Sequence, residues 1–318
     1  MTEPGVVILD ESGAGAGAAT APRRLLALPG ALVRTARPRQ WIKNLLVVAA
    51  PAAAGRLRDP HVLAQLALVF CLFTAAAAAV YLINDARDAE ADRAHPDKRH
   101  RPVAAGLVPV GAAYATGAVL AVLAPLCAAL TCNAMTAALL SAYLVMQFAY
   151  CVKLKHVLVV DLVVVTSGFL MRAMTGGVAL GIPLSRWFLI TAGFGALFMV
   201  SAKRYSEALR MEGKGAATRA LLDAYTTGYL RFVWQLAAGV AVLAYCMWAL
   251  EAGGVVKGSL LPWRQLSMVP FTGAILRYAV FADRGSAGAP EDVVLHDRAL
   301  AVIGLSWIAL YALAVAGL

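Results

Sequence analysis

Asp85, Asp88 and Asp92 stand at i, i+3 and i+7, with Asn84 immediately before them. On a continuous helix these spacings put the three carboxylates on one face, and Asn84 joins them four residues before Asp88. Carboxylates stacked in this way repel one another unless a cation lies among them. Magnesium suits such oxygen donors: it takes one or two carboxylates and completes its shell with phosphate and water. Asn84, Asp85, Asp88 and Asp92 are therefore candidate metal ligands, and the three aspartates are candidate catalytic residues. Lys98, Arg99 and Arg101 follow within the same polar stretch. Acid next to base in one short segment points to a metal ion and a phosphate group bound together.

This stretch interrupts a greasy chain. Of 318 residues, 61% are hydrophobic and 14% are charged, against about 25% charged in soluble domains. Mean hydropathy is +0.73. Several apolar runs approach the roughly 20 residues that cross a bilayer as a helix. The expected fold is all-α, a polytopic membrane protein of about nine helices. They are placed near 40–55, 61–84, 108–128, 133–152, 156–180, 187–208, 228–250, 265–282 and 299–318. The first is short and carries Pro51; the eighth carries Pro270, which predicts a kink. Residues 1–22 lack the basic start and apolar core of a secretory signal and read as a disordered cytosolic tail. Residues 23–318 read as a single integral membrane catalytic domain.

Most of the 28 lysines and arginines fall in segments that share one side of the membrane with the amino terminus. The positive-inside rule makes that side cytosolic. The bias also accounts for most of the +10 net charge, so no nucleic-acid partner is needed. The five cysteines form no zinc-type spacing and read as buried small residues.

Further cations on the inner side are candidates for phosphate: Lys43, Lys153, Lys155, Lys203 and Arg204. Arginine binds phosphate through a planar fork and lysine as a point charge. Glu207 stands four residues after Lys203, on the same helical face. Asp161 lies just inside a spanning segment, where a carboxylate needs a partner. Arg172 is about 16 Å deeper by helix rise and is expected to snorkel outward or to bond backbone carbonyls. His95 and His100 read as surface residues, and Phe194, Phe198 and Met199 as packing.

NDARDAEAD (84–92) followed by KRHRP (98–102) resembles the first motif of the UbiA-type prenyltransferase superfamily. RPRQWIKN (37–44), KLKHVLVVD (153–161), GFLMRAMTGG (168–177) and SAKRYSE (201–207) extend the resemblance to a phosphoribosyl-transferring branch. In relatives that use prenyl diphosphates, a second aspartate-rich cluster ends helix six; here Lys203 and Arg204 occupy that place. The resemblance implies a UbiA-like bundle with a polar cavity facing the cytosol, a Mg2+ cofactor, and a plasma-membrane location. It implies 5-phosphoribosyl 1-diphosphate (PRPP) as donor and polyprenyl (decaprenyl) phosphate as acceptor, in the synthesis of arabinan precursors. A homo-oligomer, a trimer, is part of the same implication. Lys43, Asn84, Lys98, Arg99, Arg101, Lys153, Lys155, Asp161, Lys203 and Arg204 become expected substrate contacts, and Glu207 an expected catalytic residue. Two other readings stand beside this one: a prenyltransferase acting on an aromatic or tetrapyrrole acceptor, and a lipid transporter.

Overall fold

The structure is a computed structural model and describes residues 21–212, 225–251 and 261–316. Among them are thirteen α-helices, three 3-10 segments and no strand. The helices are α1 (Ala21–Thr35), α2 (Ala49–Ala53), α3 (Pro60–Arg87), α4 (Ala89–Ala94), α5 (Val110–Thr131), α6 (Ala134–Val152) and α7 (Val160–Ala179). They continue with α8 (Arg186–Glu212), α9 (Thr227–Glu251), α10 (Trp263–Leu266), α11 (Met268–Asp283), α12 (Pro290–His296) and α13 (Arg298–Ala316). Six of these, α3, α5, α6, α7, α9 and α13, are long and apolar enough to cross a membrane. Helix α8 is 27 residues long, about 40 Å by helix rise, and its second half carries Lys203, Arg204 and Glu207. Residues 1–20, most of the expected tail, lie outside the described residues, as do Lys214 and Arg219; Ala21 and Pro22 open α1.

Local chemistry explains several boundaries. Asp59 caps α3 by accepting the His61 N–H, and Pro60 sits at the first turn, where its missing donor costs nothing. Asn133 caps α6 in the same way through the Thr136 N–H. The expected eighth span, 265–282, is not one kinked helix. It breaks at Ser267, whose hydroxyl lies 2.7 Å from the Tyr245 hydroxyl, so Pro270 falls in the first turn of α11, where proline is tolerated.

Two cores divide the bundle. In one, the alanine-rich stretch of α3 lets α5 and α6 approach closely, with Phe73, Ala76, Ala79, Leu140 and Tyr143 buried. In the other, α8, α9 and α11 enclose Phe198, Tyr205, Leu230, Trp234 and Tyr278. Phe198 packs edge-on against Tyr278 and tilted against Trp234, which is the packing role its sequence position suggested. Helix α7 belongs to both cores: Leu162 near its start lies in the second and Ala179 at its end in the first. A small third core sets α1 against the charged end of α3, through Ala31, Leu82, Ala86, Val103 and Val108. This packed α1 was not foreseen from sequence.

The segment expected as the first spanning helix, 40–55, takes another form. Pro38–Val48 is a 3-10 segment and only Ala49–Ala53 is α-helical. Its tighter winding lets the Val47 backbone lie directly against α7 at Gly176. A Cβ on Gly176 would stand 1.8 Å from the Val47 carbonyl oxygen. Backbone cannot yield as a side chain does, so Gly176→Ala should cost more than the roughly 1–3 kcal/mol typical of overpacking. Gly195→Ala in α8, where a Cβ meets nothing within 4 Å, should instead be neutral or gain up to about 1 kcal/mol. Thermal unfolding of the two variants in detergent checks the contrast; equal midpoints would contradict the close approach.

Candidate functional site

The acidic motif lies at the charged end of α3. The helix ends at Arg87, Asp88 turns (φ −88°, ψ 6°), and α4 begins at Ala89. The single continuous helix face expected for the three aspartates therefore does not form. Asp85 and Asp92 still share a neighbour, because Arg101 Nη1 lies 3.2 Å from Asp85 and 2.7 Å from Asp92. Asp88 is turned aside to Lys155, 3.5 Å away. Asp85 has a second cation, Arg37, whose Nη2 is 2.7 Å from the same oxygen that Arg101 approaches. Both Asp85 and Asp92 are buried, while the Asp88 side chain is 27% exposed.

The link between α6 and α7 connects this motif to a second cluster. Lys155 on the link reaches back to Asp88, and Asp161 in the first turn of α7 reaches the other way. Asp161 is 1% exposed. It accepts a hydrogen bond from the Tyr150 hydroxyl at 2.5 Å and pairs with Arg204 at 3.3 Å. Arg204 also pairs with Glu207 at 3.3 Å, and Lys203 lies 3.9 Å from Glu207. Between the clusters Val159 adopts φ +67°, a costly conformation for a β-branched residue, of order 1–3 kcal/mol. Its N–H is held by the Tyr225 hydroxyl at 2.7 Å. Burial pushes the Tyr225 phenol above its ordinary range, so it remains a neutral hydroxyl.

Of the residues singled out in the sequence, the structure gathers Asp85, Asp92 and Arg101 into one group, Asp88 and Lys155 into a second, and Asp161, Lys203, Arg204 and Glu207 into a third. Asn84 is half-buried at the end of α3, and Lys43 is half-buried in the 3-10 segment. Lys98, Arg99 and Lys153 are exposed, and none forms an ion pair with an acid among the described residues. Arg172 does not snorkel. It is buried, donates to the Gly168 carbonyl, the Asn44 amide oxygen and the Tyr143 hydroxyl at 2.8–2.9 Å, and stacks against Phe73, Tyr143 and Phe169. The carbonyl half of the expectation holds; the outward half fails because Asn44 and Tyr143 offer partners at depth. Sequence reasoning passed over Arg37, Tyr150 and Tyr225 as site residues. Arg37 carried a signal, a cation directly before Pro38 in the RPRQWIKN segment; the two tyrosines carried none, because their partners come from other helices.

A divalent ion needs oxygen donors that converge on one point. Among the described residues, no three acidic, histidine or cysteine side chains converge closely enough to form a cage by themselves. Magnesium does not require one: one or two carboxylates suffice when phosphate oxygens and water complete the shell. Asp88, its side chain 27% exposed and paired with Lys155 at 3.5 Å, is open to that role, and Asn84 and Asp85 stand about one helical turn before it on α3.

The chain belongs to the UbiA prenyltransferase family, which it matches over residues 45–296. It is 51% identical over 293 residues to the decaprenyl-phosphate phosphoribosyltransferase of Mycobacterium tuberculosis, covering 91% of this chain and 95% of that one. The enzyme of the same name from Corynebacterium glutamicum is 47% identical, covering 88% of this chain and 85% of the relative. The fold is similar to that of a UbiA homologue from Archaeoglobus fulgidus bound to GPP and Mg2+. That likeness has a TM-score of 0.65 at 16% identity and covers 91% of this chain and 100% of the other.

The Asp161–Arg204 pair gives a stability test. Removing one partner of a buried ion pair typically costs about 3–5 kcal/mol, whereas replacing both with apolar residues can be neutral. Arg204→Leu alone should therefore lower the unfolding midpoint sharply, and Arg204→Leu with Asp161→Leu should recover much of the loss. Additive losses in the double variant would mean that the two side chains are not coupled.

Proposed function

We propose that this protein is a magnesium-dependent transferase that moves the 5-phosphoribosyl group of PRPP to a polyprenyl phosphate such as decaprenyl phosphate, releasing pyrophosphate. The observation that carries the reading is the basic second cluster, Lys203 and Arg204 beside Asp161 and Glu207, in a chain similar along nearly all its length to relatives named for this transfer. A prenyl-diphosphate reading would favour acids at Lys203 and Arg204, to hold a second metal. Chemistry concentrated at one end of the helices also disfavours a transporter, whose polar site commonly lies near the bilayer midplane.

In this reading nine segments cross the plasma membrane, residues 23–318 form one catalytic unit, and both clusters face a cytosolic cavity with the amino terminus on the same side. Assembly as a homo-oligomer and a place in arabinan precursor synthesis belong to the same proposal. Asn84, Asp85 and Asp88 would hold magnesium on the donor's diphosphate, where the ion stabilises the charge that builds on departing pyrophosphate. Asp92, committed to Arg101, fixes that guanidinium toward the diphosphate rather than serving as a main ligand. Lys155, 3.5 Å from Asp88, would pair with a phosphate oxygen of the donor. Lys203 and Arg204 receive the 5-phosphate or the acceptor phosphate, with Lys43, Lys98, Arg99 and Lys153 around the entrance. Glu207, whose side chain is partly exposed, orients ribose hydroxyls. Asp161 holds Arg204 in place.

The bond from ribose carbon 1 to the diphosphate oxygen breaks, and a bond from the same carbon to an acceptor phosphate oxygen forms. The acceptor's second pKa is about 6, so it arrives largely as an anion at neutral pH and no general base is required. His95 and His100 are then bystanders.

Purified protein with labelled PRPP, decaprenyl phosphate and magnesium should form labelled lipid, and EDTA should stop it. Asp88→Ala should lower turnover by about a hundredfold or more while leaving the unfolding midpoint near wild type. No lipid product from PRPP, with product from a prenyl diphosphate and an aromatic acid instead, would replace this reading with the prenyltransferase one.

A further inference from the structure

Arg37 occupies a backbone conformation that its sequence resists. It has φ 56° and ψ 67°, the left-handed region that non-glycine residues rarely enter. It also directly precedes Pro38, and a residue before proline is steered to extended conformations. Among the described residues, Arg37 and Val159 are the non-glycine residues with positive φ, and both adjoin the candidate site. The strain at Arg37 has a visible counterpart. Its guanidinium donates to Asp85 at 2.7 Å and lies 4.7 Å above the ring of Tyr81, one helical turn before Asp85. The turn is fixed from the other side by the Gln40 N–H bonding to the Arg37 carbonyl.

Charge counting gives this contact a consequence. Three carboxylates, Asp85, Asp88 and Asp92, face three cations, Arg37, Arg101 and Lys155. The motif is therefore neutralised from within when nothing is bound. A bare divalent ion meets carboxylates that are already paired, and taking Asp85 would strand a guanidinium. A metal–diphosphate complex is different, because it brings oxygens that accept the displaced donors. Guanidinium forks bind phosphate as well as they bind carboxylate, so the exchange keeps every charge paired.

We propose that Arg37 is a diphosphate-binding residue held in reserve as the counter-ion of Asp85, and that this pairing makes the acidic motif accept metal and diphosphate together rather than metal alone. By linkage, the factor by which diphosphate raises metal affinity is the factor by which metal raises diphosphate affinity. The inference rests on the metal role given above to the acidic motif but not on the identity of the donor, since any diphosphate would serve.

The test uses the full chain in detergent, with Mn2+ as probe followed by electron paramagnetic resonance, alone and with inorganic pyrophosphate. Wild-type protein should bind Mn2+ at least about tenfold more tightly when pyrophosphate is present. Arg37→Gln should bind Mn2+ alone more tightly than wild type, because Asp85 is released. The same variant should bind pyrophosphate with Mn2+ about tenfold more weakly, the loss expected for one charge-assisted hydrogen bond. These opposite signs are the signature, since a variant that merely loosened the fold would lose both affinities together. Parallel losses, or no change in either, would overturn the proposal, as would wild-type protein that binds Mn2+ equally well without pyrophosphate. If Arg37→Gln does not fold, Arg37→Lys keeps the charge but loses the fork and should still weaken pyrophosphate binding; unchanged binding would again overturn the proposal. These readouts contain no PRPP, so failure of the lipid-labelling assay would leave them standing.

Discussion

A charged guanidinium buried among apolar helices sets the geometry of this molecule. Arg172 lies about three turns inside α7 from Asp161 and pairs with no carboxylate among the described residues; neutral acceptors and aromatic rings surround it. A cation at such depth is costly unless its donors are satisfied. Arg172 meets that condition by drawing on three elements at once: its own helix at Gly168, α6 at Tyr143 and the 3-10 segment at Asn44. Asn44 in turn donates to Thr74 on α3 at 3.0 Å. The network thus fixes the long 3-10 segment to three α-helices, α3, α6 and α7.

From that anchor the site follows. The 3-10 segment is seated at its far end by the glycine gap on α7 and in its middle by Asn44, and so it delivers Arg37 at its near end to Asp85. Helix α7 carries Arg172 in its middle and Asp161 in its first turn, so the same rod that seats the 3-10 segment also positions the basic second cluster on α8. Strain collects where these constraints meet the site, at Arg37 and at Val159. Both strained residues donate a specific bond, Arg37 to Asp85 and the Val159 N–H to the Tyr225 hydroxyl, and each flanks a different charged group.

The charged groups are close-coupled rather than scattered. Each of Asp85, Asp88 and Asp92 has a cation within 3.5 Å, and Asp161 is enclosed by Tyr150 and Arg204. Such pairing offsets the desolvation of buried carboxylates at a membrane surface. It also makes the site responsive, because an incoming phosphate competes for the same donors that keep the acids quiet.

Composition and apolar runs were enough to establish an all-helical membrane chain, since a backbone in lipid must satisfy its own hydrogen bonds and a helix does so locally. The acidic motif, the basic residues of the second cluster and Asp161 were legible for a similar reason: ionisable residues beside apolar runs are too costly to be incidental. What tertiary contacts decided was of another kind. No local rule foretold that Pro38–Val48 would wind as a 3-10 segment, because Gly176 and Asn44, residues far apart in the chain, set that geometry jointly. The turn at Asp88 and the sharing of Arg101 between Asp85 and Asp92 depend on how the following loop folds back. Arg37, Tyr150 and Tyr225 became site residues only when other helices brought their partners within bonding distance. Local sequence fixes which groups exist and what each costs to bury; only the packed chain decides which group answers which.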